Sequence, residues 1–316
     1  MFQLRNELGA GNTLIDEMKR NPDHNKYFNF FRMEAVTFNK LFSLLKNDNS
    51  KSDLGREPIS PEIRLAITLR YLASGNSMVS LSYLFRVGKS TISNIITETL
   101  IVIWKILKPL VLAPPTEEKW LAIASGYGQW NFPNCIGAID GKHVTIQAPP
   151  HAGSSYYNYK GSHSIVLMAV VDCNYRFVLV DVGGQGRQSD GVAELCLGYS
   201  TPLSDEISDG RPPFPYVIVG DEAFPLLENL MRPYPGRSEL DITHTIYNYR
   251  HSRARRISEN AFGMLASLIM NVHVYHYKLD LNYILDHYGK RAQDIRDNFR
   301  TYFNEEGAFP WQWNIL

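Results

Sequence analysis

The sequence predicts an α/β protein, a mixed β-sheet flanked by helices and preceded by an all-helical region. Three observations carry that reading. Before about residue 114, apolar residues recur at helical spacing. From about residue 130 the chain turns to β-rich runs separated by turn residues, and a long helical pattern then follows the fourth run. At 316 residues there is room for a helical region over 1–114 and a second domain over 115–316.

In the helical region, "KYFNFFRMEAVTFNKLFSLLK" places Phe31, Phe38, Leu41, Phe42 and Leu45 on one face. "SPEIRLAITLRYLAS" opens with Ser60 as N-cap, Pro61 at the first helical position and Glu62 in the first turn. Ile63, Ala66, Ile67 and Leu69 then point inward. "SLSYLFRVGKSTISNIITETLIVIWKILK" reads as a short helix, a break at Arg86 to Lys89 around Gly88, and a long helix capped by Ser90 or Thr91. That is helix-turn-helix spacing, which would carry the second helix into a DNA groove. A purely structural helical packing module would look the same. "APPTEEKW" marks the boundary.

Beyond it, "NCIGAIDGKHVTIQA", "SIVLMAVVDC" and "RFVLVDVGG" read as three successive antiparallel strands. A proline-rich insertion precedes a fourth strand, "YVIVGDEAFPL". The last element is the helix "NYRHSRARRISENAFGMLASLIM".

Three carboxylates stand at positions that a structural role alone explains poorly. Asp140 interrupts the most strand-like run, where burying an unpaired carboxylate costs several kcal/mol. Its bland explanation is a salt bridge to Lys142. Asp221 closes the fourth strand, at the edge where α/β sheets collect ligands. Glu259 heads a helical row with Phe262, Ala266 and Ile269, its bland explanation being an ion pair with Arg255. One shared divalent cation accounts for all three. Oxygen-only donors suit Mg²⁺ or Mn²⁺ rather than zinc, and two such ions clamp an in-line phosphoryl displacement.

Several motifs in order, "NCIGAIDGKHV", "YYNYKGSHSIVLMAVVD", "GRQSDG", "VGDEAFPL" and "NYRHSRARRISENAFGML", closely resemble the DDE nuclease domain of the PIF/Harbinger transposase superfamily. They look most like its domesticated, transposase-derived nucleases. The resemblance runs from roughly Asn25 to Met264 and resumes at "IRDNFRTYFNEEGAFPWQ"; the stretch between, "SLIMNVHVYHYKLDLNYILDHYGKRAQD", departs from it. It implies an RNase H-like core and a metal-dependent DNA endonuclease with Asp140, Asp221 and Glu259 as the acids. Asp190 matches a further family aspartate, a fourth metal ligand or an outer acid. It also implies a separate Myb-like DNA-binding partner and a nuclear protein that also occurs in the cytoplasm, and it leaves room for a homo-oligomer.

Other groups divide between function and scaffold. His143, Lys160 and His163 could touch the scissile phosphate, or be ordinary loop and strand residues. Arg250, Arg253, Arg255 and Arg256, with His251, form the densest basic cluster and suit a phosphate backbone. The three histidines His273, His276 and His287 are read as surface polar residues, and Trp104 and Trp130 as core.

Composition sets outer bounds. The chain is 44% apolar and 12% aromatic, ordinary for a globular protein. Its 32 basic and 32 acidic residues balance, which argues against a surface that grips polyanions everywhere and leaves local patches open. The N-terminus lacks the apolar core of a signal peptide, and no run is long enough to span a membrane. Cys135, Cys173 and Cys196 lack metal-type spacing and suggest a reduced intracellular protein. Two further readings compete with the nuclease: an adaptor that binds DNA or chromatin without cutting, and a metal phosphohydrolase for small phosphoesters.

Overall fold

The computed structural model describes residues 5–11, 13–21, 24–50, 58–149, 151–185, 204–205, 213–236, 240–268 and 289–314. They fall into two compact units, one holding residues up to Ala113 and the other beginning at Pro114.

The first unit is all-helical: α1 (Arg5–Leu8), α2 (Leu14–Arg20), α3 (His24–Phe31), α4 (Ala35–Leu45), α5 (Pro61–Ser74), α6 (Met78–Phe85) and α7 (Lys89–Val111). The Ser60 hydroxyl accepts from the Ile63 amide at 3.3 Å, so the expected cap on α5 forms with Pro61 beside it. Phe31, Phe38 and Leu45 are buried with Leu65, Ile67, Phe85, Ile92 and Ile96. The break between α6 and α7 is made by Arg86 at φ 52° and by Gly88, which takes the N-cap position instead of Ser90 or Thr91. Only the first half of α7 is buried. Trp104, expected in the core, is 50% exposed because it lies on the half beyond Thr99.

The second unit opens with α8 (Glu117–Gly128), capped by Thr116. Its strands are β1 (Cys135–Thr145), β2 (Ser164–Val171), β3 (Phe177–Gln185), β4 (Ser204–Asp205), β5 (Phe214–Pro215), β6 (Val217–Val219) and β7 (Leu230–Met231). Helices α9 (Ile242–Leu268) and α10 (Gly289–Asn304) follow, with α9 belonging to this unit through Met264.

Five strands form one sheet in the order β3-β2-β1-β6-β7. β1, β2 and β3 are an antiparallel meander, as their sequence runs predict, while β6 and β7 join the other side of β1 in parallel. This mixed sheet flanked by helices is the RNase H-like arrangement. β1 is the strand from which the order runs both ways, and the carboxyl ends of β1 and β6 border the crevice where such sheets bind ligands.

The core beneath is dense in rings. Phe132 lies 5.0 Å from Phe303, and Phe214 lies 4.9 Å from Phe299. Trp120, Tyr127 and Tyr247 are fully buried in the same cluster, and Trp130 packs against its edge.

Candidate active site

Asp140 stands where β1 leaves the core. Residues 135–139 are buried, Asp140 is half-buried, and from Gly141 onward the strand is partly or fully open. The carboxylate is therefore at the boundary of burial rather than deep within it. Its Oδ1 accepts from the Gly141 amide at 2.7 Å. Burial holds its pKa above the usual carboxylate range, and the like charges of Asp221 and Glu259 push the same way, against the Gly141 amide and the Arg255 guanidinium. Among the described residues Lys142 makes no ion pair with it.

Register fixes Asp221 beside it. In the parallel pairing of β1 with β6, Ala138 is level with Val219, so Asp140 and Asp221 each lie two residues further along neighbouring chains. Adjacent strands lie about 4.8 Å apart. Gly220 makes the close approach feasible, since a Cβ there would meet the Phe224 ring at 2.7 Å and the Ile139 side chain at 3.0 Å. Asp221 Oδ1 accepts from the Ala223 amide at 2.9 Å, which fixes the turn that presents it.

Glu259 comes from α9. The buried face of that helix carries Tyr247, Ala254, Ile257, Ser258, Ala261 and Phe262. Glu259 itself is exposed at the rim of this face, as is Ala266, and Ile269 lies outside the described residues. Of the inward row expected through Glu259, Phe262 and Ala266, Phe262 alone is buried. Glu259 Oε1 is bonded to Arg255 Nη2 at 2.7 Å, the ion pair that its spacing allows.

Asp221 and Glu259 both act electrically on Asp140. Their hard oxygen donors suit a divalent cation, which would relieve the mutual repulsion at Asp140. As placed, no three His, Cys, Asp or Glu side chains among the described residues stand close enough together to hold an ion. Asp190, together with Cys196, His273, His276 and His287, lies outside the described residues.

The basic cluster divides. Arg256 is exposed, and half-buried Arg253 lies 5.1 Å from the Trp311 ring. Arg250, expected on the DNA-binding surface, is 1% exposed. Its Nε donates to the Asn131 carbonyl at 2.7 Å and its Nη1 to the Gly307 carbonyl at 2.8 Å, with the guanidinium 3.8 Å from the Phe303 ring. It clamps α9 to the end of α10, so a phosphate cannot reach it. His251 is equally buried, bonded to the Met231 carbonyl at 3.0 Å, and burial pushes its pKa down to about 4. It carries no charge at neutral pH and leaves the basic cluster.

Lys160 is exposed in the loop between β1 and β2. Below it, His143 Nδ1 lies 2.9 Å from the buried Ser164 hydroxyl. The residue that organises this loop, Asn158, carries no signal in the sequence, where it is one polar residue among many.

Comparison with known proteins finds a likeness over the second unit. Residues 139–268 match the family described as DDE superfamily endonuclease. Over this segment the chain is similar to DDE superfamily endonucleases. The match begins one residue before Asp140 and spans Asp221 and Glu259. The chain is 29% identical over 268 residues to a protein from Arabidopsis thaliana named ALP1-like, covering 77% of this chain and 63% of that one. It is 28% identical over 264 residues to the Arabidopsis protein Antagonist of Like Heterochromatin Protein 1, covering 75% and 63%. To the Rattus norvegicus protein named "Putative nuclease HARBI1" it is 24% identical over 248 residues, covering 78% and 68%. The resemblance to domesticated Harbinger transposase derivatives holds across these relatives. The chain spans 63% of the length of the two plant relatives. No solved structure matches the chain significantly.

Proposed function

We propose that the protein is a DNA endonuclease of the Harbinger transposase type that depends on Mg²⁺ or Mn²⁺. The observation that carries this reading is the parallel register of Ala138 with Val219, two residues before Asp140 and Asp221, together with the electrostatic effect of Asp221 and Glu259 on Asp140. Asp140, Asp221 and Glu259 would hold the metal. When bound, the cation supplies positive charge that activates the attacking water or 3′-hydroxyl and stabilises the leaving oxygen. The protein's own part is to fix one acid on β1 and a second in the turn just after β6, and to offer Lys160, Arg253, Arg255 and Arg256 to the phosphodiester backbone. Asp190 would complete the acid set. A Myb-like partner that supplies DNA specificity, nuclear residence with some cytoplasmic protein, and self-association belong to the same proposal.

The test is direct. Purified protein with Mg²⁺ or Mn²⁺ should nick plasmid DNA, and Asp140→Ala, Asp221→Ala or Glu259→Ala should abolish nicking. Equal cleavage by wild type and all three variants would sink the assignment. A second reading, a DNA- or chromatin-bound adaptor without cleavage, has one observation in its favour, the engagement of Glu259 by Arg255. Calorimetry separates the two, because an adaptor binds DNA with no divalent-cation affinity that depends on Asp140.

A further inference from the structure

We propose that the loop joining β1 to β2 is a stacking site for an unpaired base of single-stranded DNA, with Tyr159 as platform and Lys160 as its phosphate contact. This deepens the DNA-processing reading above and rests on it. Tyr159 is 81% exposed and Tyr157 is 50% exposed, so two large rings stand in water two residues apart. Exposed aromatics are unremarkable singly. The difference here is how much of the surrounding structure is spent on holding them.

Asn158, between them, is 5% exposed. Its Oδ1 accepts from the amides of Lys160 at 2.9 Å and Ser162 at 3.2 Å, and its Nδ2 donates to the fully buried Ser164 hydroxyl at 2.8 Å. The main chain closes the same turn, the Asn158 amide bonding to the Ser162 carbonyl at 2.9 Å. Gly161 sits at φ +78°, a conformation that side-chain-bearing residues rarely adopt. From the strand below, the His143 ring stands 5.6 Å from the Tyr159 ring at 80°. The backbone carrying Tyr159 is therefore ordered before any ligand arrives, which lowers the cost of binding.

The chemistry on offer is an aromatic face with an ammonium 5.4 Å from its centre. A nucleobase with its phosphate matches both: the base takes the ring face and the flexible lysine moves to the phosphate. Bases inside a duplex are already stacked on one another, so an unpaired base is the one that fits. His143 is an odd number of residues from Asp140 along β1 and so faces the other side of the sheet. A strand held here leaves the carboxylate site free for the bond to be cut.

The experiment is fluorescence anisotropy with a labelled single strand of about 15 nucleotides and the matching duplex, at several salt concentrations. Tyr159→Ala should weaken single-strand binding about tenfold and duplex binding by less than about twofold, while Tyr159→Trp keeps both. Asn158→Ala should also lose single-strand affinity, although Asn158 is buried and cannot touch DNA. Lys160→Gln should reduce the salt slope by about 0.7. Unchanged single-strand affinity in Tyr159→Ala, or equal losses on single strand and duplex, would overturn the proposal. A wild type that never cuts DNA yet shows the Tyr159 effect would sink the nuclease reading and leave this one standing.

Discussion

Arg250 offers the sharpest test of how the second unit is held together. Replacing it with alanine removes two short charge-assisted hydrogen bonds, to Asn131 and Gly307, and a third contact to the Phe303 carbonyl at 3.5 Å. Burial pushes its pKa down to about 10, so the group is still charged at neutral pH and its bonds keep their ionic character. Each hydrogen bond to a charged group contributes roughly 1.5–3 kcal/mol. The substitution also strands the two carbonyls and opens space beside the Phe303 ring. We expect Arg250→Ala to cost about 4 kcal/mol, a large part of the 5–15 kcal/mol typical of a domain. Arg250→Lys keeps the charge but not the planar fork, and should cost about half as much. Urea unfolding followed by tryptophan fluorescence reads this as a drop of about 2 M in the midpoint at unchanged slope. DNA affinity of the folded protein should stay within about twofold. An unchanged midpoint with weakened DNA binding would show that Arg250 contacts phosphate after all, and would refute its role as a clamp.

Two further outcomes follow from the same packing. His251 has a folded pKa of about 4 against an unfolded value of about 6.5, so between those values the unfolded chain binds the extra proton and stability rises with pH. Acidifying from pH 7 to pH 4 should therefore cost up to about 3 kcal/mol through this residue; His251→Gln should flatten that part of the stability–pH curve, and an identical slope in the variant would remove His251 as its source. Gly220→Ala drives a methyl into the Phe224 ring and the Ile139 side chain, and should cost about 1–3 kcal/mol while displacing Asp221. Its urea midpoint should fall and nicking should fall with it, whereas wild-type values for both would show that the close approach at Gly220 is dispensable.

What the sequence reveals about this protein depends on how far each feature's cause extends along the chain. β1, β2 and β3 are legible because each is eight residues or more of apolar pattern. β7 is two residues long and exists only because β6 lies beside it, so no local pattern announces it. Asp140 and Asp221 stand out for the opposite reason, as charges that break an apolar strand or close one. Glu259 lies on the expected helix but on its exposed side, because burial on that helix follows Ile257, Ser258, Ala261 and Phe262. The arginines show where local reading ends. Four cations within seven residues look alike in sequence, yet helical periodicity puts Arg250 on the buried line with Tyr247, Ala254 and Ile257, and leaves Arg256 off it. Periodicity alone would still make a buried arginine look like an error. The carbonyls that make it tolerable come from Asn131 and Gly307, on segments far away in the chain that meet only in the folded protein. A charge can be recognised as misplaced from its neighbours, but its partner is a property of the fold.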